Sequence, residues 1–442
     1  MSSVSLQSIP ELCHSIWDLE SKLDLLDLEI AGVKIWQACR MHIYYKLAET
    51  SGLYEQPHVA HTPKKSWAIK LRYFFRSLTL DNPFLWTGCA KIGIFQHSRS
   101  KFFEGRWIDI YSHFLCQDLT SESKDFLVFE RPFLNEYMKD QSFESRQIGI
   151  IDSLASAISN FPCRAIPRLQ QELVGEVETA IQEKLNIAID LQQIFSKQLK
   201  RFKVRRYLYG KLLDHYNIKK VYLVVSYYLG PLIDSCKRRG IPVYEIQHGV
   251  ISTYHLGYSF PDRHHGSLNY FPDYLMIWGG KWPTTKHLPI APENVIEYGF
   301  RYFEANAANY MDYKKVSNRV LVVSQTVHGN SLAQFILRNI GRFEGWEVIY
   351  KLHPSEFNQS RNYSDLAYLE DHVDQFQVAR ESNMYELLAQ CRAVVGVFST
   401  ALFEALALDC DVYVVPLSGW EYMEELLQDG KVLPFEAFPS RV

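Results

Sequence analysis

AVVGVFSTALFEAL, residues 393–406, reads as a β-strand that turns directly into a helix. Ala393–Val397 is an apolar β-type run. Ser399 or Thr400 can cap the helix that Phe403-Glu404-Ala405-Leu406 continues. The flanking sequence repeats this plan. Val320–Val323 runs into Ser324-Gln325-Thr326, Glu347–Lys351 into His353-Pro354, and Asp411–Val415 into Pro416-Leu417-Ser418-Gly419. Each run therefore ends in polar or turn residues. Ligands of open α/β sheets bind beyond the carboxyl ends of the strands. His353, Ser399, Thr400 and Glu404 are accordingly predicted to gather at one sheet edge, around a nucleotide or nucleotide-sugar.

Working towards the N-terminus, a first α/β unit begins near Lys91. Its predicted strands are Ile92–Phe95, Phe126–Phe129, Val221–Val225, Val243–Ile246, Tyr274–Trp278 and Val295–Tyr298. Two helices occupy the stretch from Val177 to about Asp214. Strands alternating with helices at this spacing imply parallel sheets. Residues 300–318 are polar and read as a link to the second unit. Before the first unit, Leu19, Leu23, Leu26, Ile30, Val33 and Trp36 make a helical stripe across residues 10–50, and 58–63 read as a linker. Residues 64–78 set Trp67, Leu71, Phe74, Phe75 and Leu78 against Lys65, Arg72 and Arg76, the pattern of a helix lying on anionic lipid. Packing of that apolar stripe on the next domain is the alternative. The expected division is a helical segment at 1–90, an acceptor-side Rossmann-like domain at 91–300 and a donor-binding Rossmann-like domain at 301–442.

Composition narrows the function. A formal net charge of −3 argues against nucleic acid as a partner. Eight cysteines without a Cys-x-x-Cys pair or a Cys/His cluster point to reduced thiols rather than zinc or a disulfide framework. Met1–Pro10 lacks the plan of a signal peptide, and no apolar run reaches 18 residues. A cytoplasmic protein, peripheral at the inner membrane through 64–78, is expected. The chain has no Gly-x-Gly-x-x-Gly and no Gly-Lys-Ser/Thr loop, which argues against dehydrogenase and P-loop chemistry.

The chemistry is read from the strand ends. Pro354 holds the turn that fixes His353, whose imidazole can donate to a phosphate oxygen. Lys351, on the same strand face, can add a cation. The first N–H groups of the helix after Ser399 point at an anion in the crevice, and Glu404 lies one turn on, in reach of ribose hydroxyls. Gln325 is a further nucleotide contact. In the first domain Gln247-His248-Gly249 ends a strand. Gly249 is expected to allow a left-handed or crowded backbone. His248 is expected to face the cleft as a general base, with Val250–His265 as an acceptor loop or lid. His97 and Arg99 are acceptor candidates, and Asp109-Ile110-Tyr111 is a lesser one. Asp409-Cys410-Asp411 has metal-pair spacing but starts a strand on the side away from the crevice. It is read as structural, so no metal is expected.

Taken together, Lys351-Leu352-His353-Pro354, Phe398-Ser399-Thr400 with Phe403-Glu404-Ala405-Leu406, Gln247-His248-Gly249 and the run from Trp278-Gly279 to Tyr298-Gly299-Phe300 resemble GT-B glycosyltransferases of bacterial surface polysaccharide synthesis. The likeness is to sialyl- and Kdo-transferases and to CDP-glycerol-dependent polymerases, and it covers roughly 240–430. It implies a GT-B-like α/β fold: two Rossmann-like domains with parallel sheets facing across a cleft, plus the N-terminal helical segment. It also implies phosphate contacts from His353, Ser399 and Thr400, and a base at His248. The chain departs from the family twice. The acidic Asp/Glu-Asp/Glu-Gly motif of sialyltransferases has no copy here, and the Glu-x7-Glu pair lacks its first member, because position 396 is Gly396. The end at Val442 leads us to expect short or absent closing helices.

The resulting expectation is a metal-independent glycosyltransferase. It would use a nucleotide-sugar donor, CMP-linked in one reading, a capsule or lipopolysaccharide acceptor, and no further cofactor. A hydrolysing nucleotide-sugar epimerase and a non-catalytic partner in polysaccharide assembly are the alternatives.

Overall fold

A computed structural model of the chain describes residues 8–54, 75–79, 81–97, 100–132, 142–162, 165–263, 268–279, 282, 284–310, 312–357 and 360–440. Its first sheet contains β1 Ile92–Phe95, β2 Phe126–Glu130, β3 Ser145–Gln147, β4 Lys220–Val224, β5 Val243–Ile246, β6 Tyr274–Ile277 and β7 Val295–Glu297. They pair in the order β3-β2-β1-β4-β5-β6-β7, every pair parallel. The second sheet contains β8 Val316–Val323, β9 Glu347–Lys351, β10 Phe376–Ala379, β11 Cys391–Gly396, β12 Asp411–Val414 and β13 Leu433–Pro434. It is ordered β10-β9-β8-β11-β12-β13, again parallel throughout. Both are therefore Rossmann sheets. The strand order reverses between β1 and β4 in one and between β8 and β11 in the other, and a crevice opens at such a reversal.

The central strands are short apolar runs because helices cover both faces. In β8, Val320–Val323 are all buried, as are Val394, Val395 and Gly396 in β11. Gly396 has a packing reason: a Cβ there would lie 3.0 Å from Leu402. The strands that sequence reading did not find lie at the margins. β3 is Ser145-Arg146-Gln147 and carries no apolar residue. β10 and β13 are likewise outer strands, and β13 is two residues long. A hairpin, Ser100–Phe103 with Arg106–Asp109, was also unread. Glu104 and Gly105, at φ 47 and 82, form the two-residue turn that joins it.

The N-terminal stripe is not one helix. α1 Ile9–Lys22 and α2 Ile35–Thr50 are separated by a left-handed residue at Asp24 and by the small hairpin Glu29–Ile30/Val33–Lys34, whose turn uses Ala31 and Gly32 at positive φ. Leu23, counted in the stripe, is 42% exposed. The two helices pack on α3 Arg168–Leu185 and α4 Leu191–His215 and on the loop after β5. A buried ion pair, Arg40 with Glu20 at 2.7 Å, locks this layer, and Arg40 also donates to the carbonyls of Leu256 and Ser259. A buried charge pair needs such extra hydrogen bonds to offset its desolvation. Tyr44 and Tyr54 complete the join to the second domain, their hydroxyls lying 2.6 and 2.9 Å from that of Tyr422.

One expectation is corrected here. Residues 300–318 are not an open link, because α6 Arg301–Ala308 turns Tyr302 and Phe303 into a core shared by both domains. Phe300 stacks on Trp278 at 4.1 Å, and Trp282 stacks on Phe403 at 5.5 Å. Phe300, Tyr302 and Phe303 stand at the start of the segment, ahead of a run rich in Asn, Asp and Lys that makes the whole read as polar. The expected basic helix at 64–78 falls largely outside the described residues, which resume at Phe75. Phe75 is 57% exposed, and Arg76 pairs with Asp81 at 2.7 Å. No described helix is long and apolar enough to cross a membrane.

Candidate active site

Each sheet presents a different chemistry at its carboxyl edge. In the first domain β4 is followed by Val225, a β-branched residue held left-handed at φ 63 and ψ 70. Such a conformation costs roughly 1–3 kcal/mol and persists only where surrounding contacts impose it. Here the contact is Glu245 on β5: its fully buried carboxylate accepts the Ser226 N–H at 2.9 Å. The same oxygen accepts the Tyr258 hydroxyl at 2.6 Å, and the Tyr258 oxygen is 3.1 Å from His248 Nδ1.

This chain sets the imidazole's tautomer. Burial pushes the Glu245 carboxyl upward, and the Ser226 and Tyr258 hydrogen bonds oppose that shift. Burial, then the Glu245 charge, raises the Tyr258 phenol well above its ordinary value, so it keeps its proton. That proton goes to Glu245, and the phenol oxygen then accepts Nδ1–H of His248. The lone pair is left on Nε2, which faces the Tyr227 hydroxyl at 3.3 Å. An imidazole held this way is equipped to accept a proton. Gly249 beside it is neither left-handed nor crowded: a Cβ there would meet nothing within 4 Å, so the expected reason for this glycine is not the one observed.

His97 belongs to the same cluster. Its ring lies 5.6 Å from Tyr111, which lies 6.4 Å from His248. Arg99 falls outside the described residues. Asp109 organises this corner. It is 1% exposed and accepts from the backbone of His97 at 3.4 Å, from the backbone of Tyr111 at 3.2 Å and from the Ser112 hydroxyl at 2.6 Å. Burial outweighs these bonds and pushes its carboxyl from 3.8 up to about 6. An acid with a raised folded value binds its proton more tightly folded than unfolded. Its contribution is therefore fully present below about pH 4 and is lost as pH rises through 6. Asp109→Asn is expected to remove a fall of about 3 kcal/mol in stability across that window, measured by denaturant unfolding at pH 4 and pH 7.

The second domain presents hydrogen-bond donors. His353 Nδ1 accepts the Ser355 N–H at 3.2 Å and lies 2.6 Å from the Ser355 hydroxyl and 3.1 Å from that of Thr326. It caps the turn Pro354–Glu356, and Glu356 closes the cap by accepting the His353 N–H at 2.8 Å. With Nδ1 an acceptor, the neutral ring carries its proton on Nε2, the tautomer that donates. Glu356 is fully buried and also accepts from Ser324 at 2.9 Å, which ties the loops after β8 and β9 together. Across the strand reversal Gln325 Oε1 accepts the Phe398 N–H at 3.2 Å. Ser399 follows and caps α8 Thr400–Ala407, accepting the Ala401 N–H at 3.3 Å. His353, Gln325, Ser399 and Thr400 thus stand on three neighbouring strand ends, with β9 and β11 on either side of β8 and about 10 Å apart.

Lys351 and Glu404 are placed differently. Lys351 is buried and donates to the carbonyls of Leu352 at 3.1 Å and Arg380 at 2.5 Å, on the side of β9 away from the reversal. Burial, then the like charge of Lys101 from the first-domain hairpin, brings it down to about 8. Glu404 is 8% exposed and accepts the Tyr385 hydroxyl of α7 Met384–Gln390 at 3.2 Å, so it lines the shared core. Burial, then the Glu404 charge, raises the Tyr385 phenol well above its ordinary value. The two domains meet through aromatic rings here, Tyr302 lying 6.1 Å from Tyr385 and Trp282 5.5 Å from Phe403. Asp409-Cys410-Asp411 lies at the opposite end of the sheet, where Asp411 pairs with Arg392 at 2.9 Å and the Cys410 thiol bonds Lys315 at 3.2 Å.

Sequence reading missed Glu245, Tyr258, Tyr227 and Glu356. A glutamate inside the apolar run Val243–Ile246 was a usable signal for the first. The tyrosines stand among many others in their segments, and nothing local marks them.

No family model matches this chain, and no curated protein matches it. Among solved structures it is similar to UDP-GlcNAc 2-epimerase from Methanocaldococcus jannaschii, at 10% identity and a TM-score of 0.45 over 78% of this chain and 88% of that one. It is also similar to Acinetobacter baumannii MurG, at 9% identity and a TM-score of 0.41 over 76% and 83%. The glycosyltransferase SsfS6 from Streptomyces sp. SF2575 is similar at 13% identity and a TM-score of 0.37 over 77% and 86%.

Proposed function

We propose that this protein is a glycosyltransferase that moves a sugar from a nucleotide-sugar held by the second domain onto an acceptor activated in the first. One observation supports the reading: each sheet carries a histidine at its carboxyl edge whose Nδ1 is engaged by its own domain, His248 by Tyr258 and His353 by Ser355. The acceptor hydroxyl attacks the anomeric carbon while the bond from that carbon to the nucleotide's phosphate oxygen breaks. His248 Nε2 takes the hydroxyl proton. His353 Nε2–H and the first N–H groups of α8 meet the charge that builds on the departing phosphate. The Asp409/Asp411 pair has no part in this scheme, and no cofactor is needed beyond the sugar nucleotide.

Within this reading the donor is a CMP-linked acidic sugar and the acceptor a capsule or lipopolysaccharide precursor at the inner membrane. The resemblance of the strand-end motifs supports both choices. A thermal-shift comparison of CMP, CDP, UDP and GDP tests the donor half directly, since a ligand of the folded state raises its apparent stability. CMP or CDP is expected to give the largest shift. No shift from any nucleotide overturns the transferase reading. Incubation with donor alone separates it from an epimerase, which would release an epimerised free sugar without acceptor.

A further inference from the structure

A cavity of about 250 Å³ lies beside the first-domain edge, walled by α2, α4, the loop following residue 250 and the start of α5 Gly230–Lys237. Its polar lining is cationic. Arg131, Arg201 and Arg205 all reach it, as does Arg40, whose charge is already met by Glu20. Of the other three, Arg131 and Arg205 pair with the same carboxylate, Asp152, at 3.3 and 2.8 Å. Arg201 gives its Nε to a neutral group, the Ser159 hydroxyl, at 3.2 Å. Arg131 Nε is buried with no hydrogen-bond partner among the described residues. Burial and then the Arg205 charge lower Arg201, as expected for a cation crowded by its like.

The remaining wall is aromatic, with Tyr227, Tyr228 and Tyr270 among its residues. Tyr227 is the partition, because it lines the cavity while its hydroxyl lies 3.3 Å from His248 Nε2. Three guanidiniums against one carboxylate leave about two positive charges facing a space large enough for a sugar ring. The paired arginine forks suit phosphate or carboxylate oxygens, and the aromatic rings suit the apolar face of a sugar.

We infer that this cavity seats an acidic group on the acceptor, a sugar phosphate or a carboxylated sugar, one aromatic ring away from the base. The inference rests on the reading of the first domain as the acceptor side. Its test nevertheless needs no nucleotide. Glucose 1-phosphate, glucuronate and glucose are titrated into the full chain by calorimetry, for the wild type and for Arg201→Gln and Gln198→Glu. The second substitution places a fixed negative charge in the same cavity without removing an arginine.

Glucose 1-phosphate or glucuronate is expected to bind and glucose not, with the tighter of the two acids showing which group is taken. Both variants should lose at least about tenfold in affinity. Their thermal midpoint without ligand should stay close to the wild-type value, which reports that the fold is intact. Absence of binding by either acid at about 10 mM overturns the inference, since a ligand that weak cannot report a built site. Unchanged affinity in both variants overturns it too. Anion binding without any nucleotide binding upholds the cavity and removes the transferase reading.

Discussion

Replacing His248 with Ala is expected to lower transfer by about 10²–10⁴-fold, the usual contribution of a positioned general base. Nucleotide binding should be unchanged, because His248 lies on the first sheet and the donors proposed to meet the phosphate lie on the second. The relay behind the imidazole makes the test sharper. Tyr258→Phe removes the oxygen that holds Nδ1–H and leaves Glu245 with the Ser226 N–H but without its phenol donor. It is a positioning change, expected to cost about tenfold in kcat, the worth of one buried hydrogen bond. It should also move the acidic limb of the kcat/KM profile to lower pH, since a ring that loses its Nδ1 acceptor holds a second proton less well. A purely structural tyrosine would lower stability and leave that limb in place. Wild-type turnover in His248→Ala would remove the base from the scheme.

His353→Ala should be nearly as damaging, by about 10²–10³-fold, the scale for losing one donor to a developing oxyanion. The substitution also removes the cap of the turn Pro354–Glu356, at a cost of about 1 kcal/mol in stability. His353→Asn separates the two effects. Asparagine can accept the Ser355 N–H and keep the cap, but its short side chain cannot carry a donor to where Nε2 reaches. If His353 meets the phosphate, the Asn variant regains stability without regaining activity. If His353 only caps the turn, Asn restores both. Retention of near-normal turnover by the Ala variant would refute the phosphate role outright.

The structure redistributes importance among the candidate residues. Glu404 was read as a ribose ligand from its place one turn into α8, and instead it accepts the Tyr385 hydroxyl in the core shared by the two domains. Lys351 shares a strand face with His353, yet it turns to two carbonyls beside β10. Strand parity shows which face a side chain leaves from. It does not show which neighbour a long, flexible side chain then finds.

Much of the architecture was legible because its signals are local. An apolar run of four or five residues ending in a polar turn marks a buried parallel strand, and the runs at 320–323, 347–351 and 393–397 each became one. The helix cap at Ser399 was legible for the same reason: cap and capped N–H lie two residues apart. Edge strands such as Ser145–Gln147 were not, because a strand with one neighbour and a wet face needs no apolar pattern. Nor was α6, whose burial depends on a partner domain that its own sequence does not mention.

By itself the sequence determined the two sheets, the strand ends that carry His248, His353 and Ser399, and the caps that shape their turns, since each is a matter of neighbours a few bonds apart. The tertiary structure alone decided which protons those groups hold. The tautomer of His248 depends on Tyr258 and Glu245, brought together by a loop and a strand, and that of His353 is completed by Thr326 from another strand's end. Proton positions follow hydrogen-bond partners, and partners from separate elements meet only once the chain has folded.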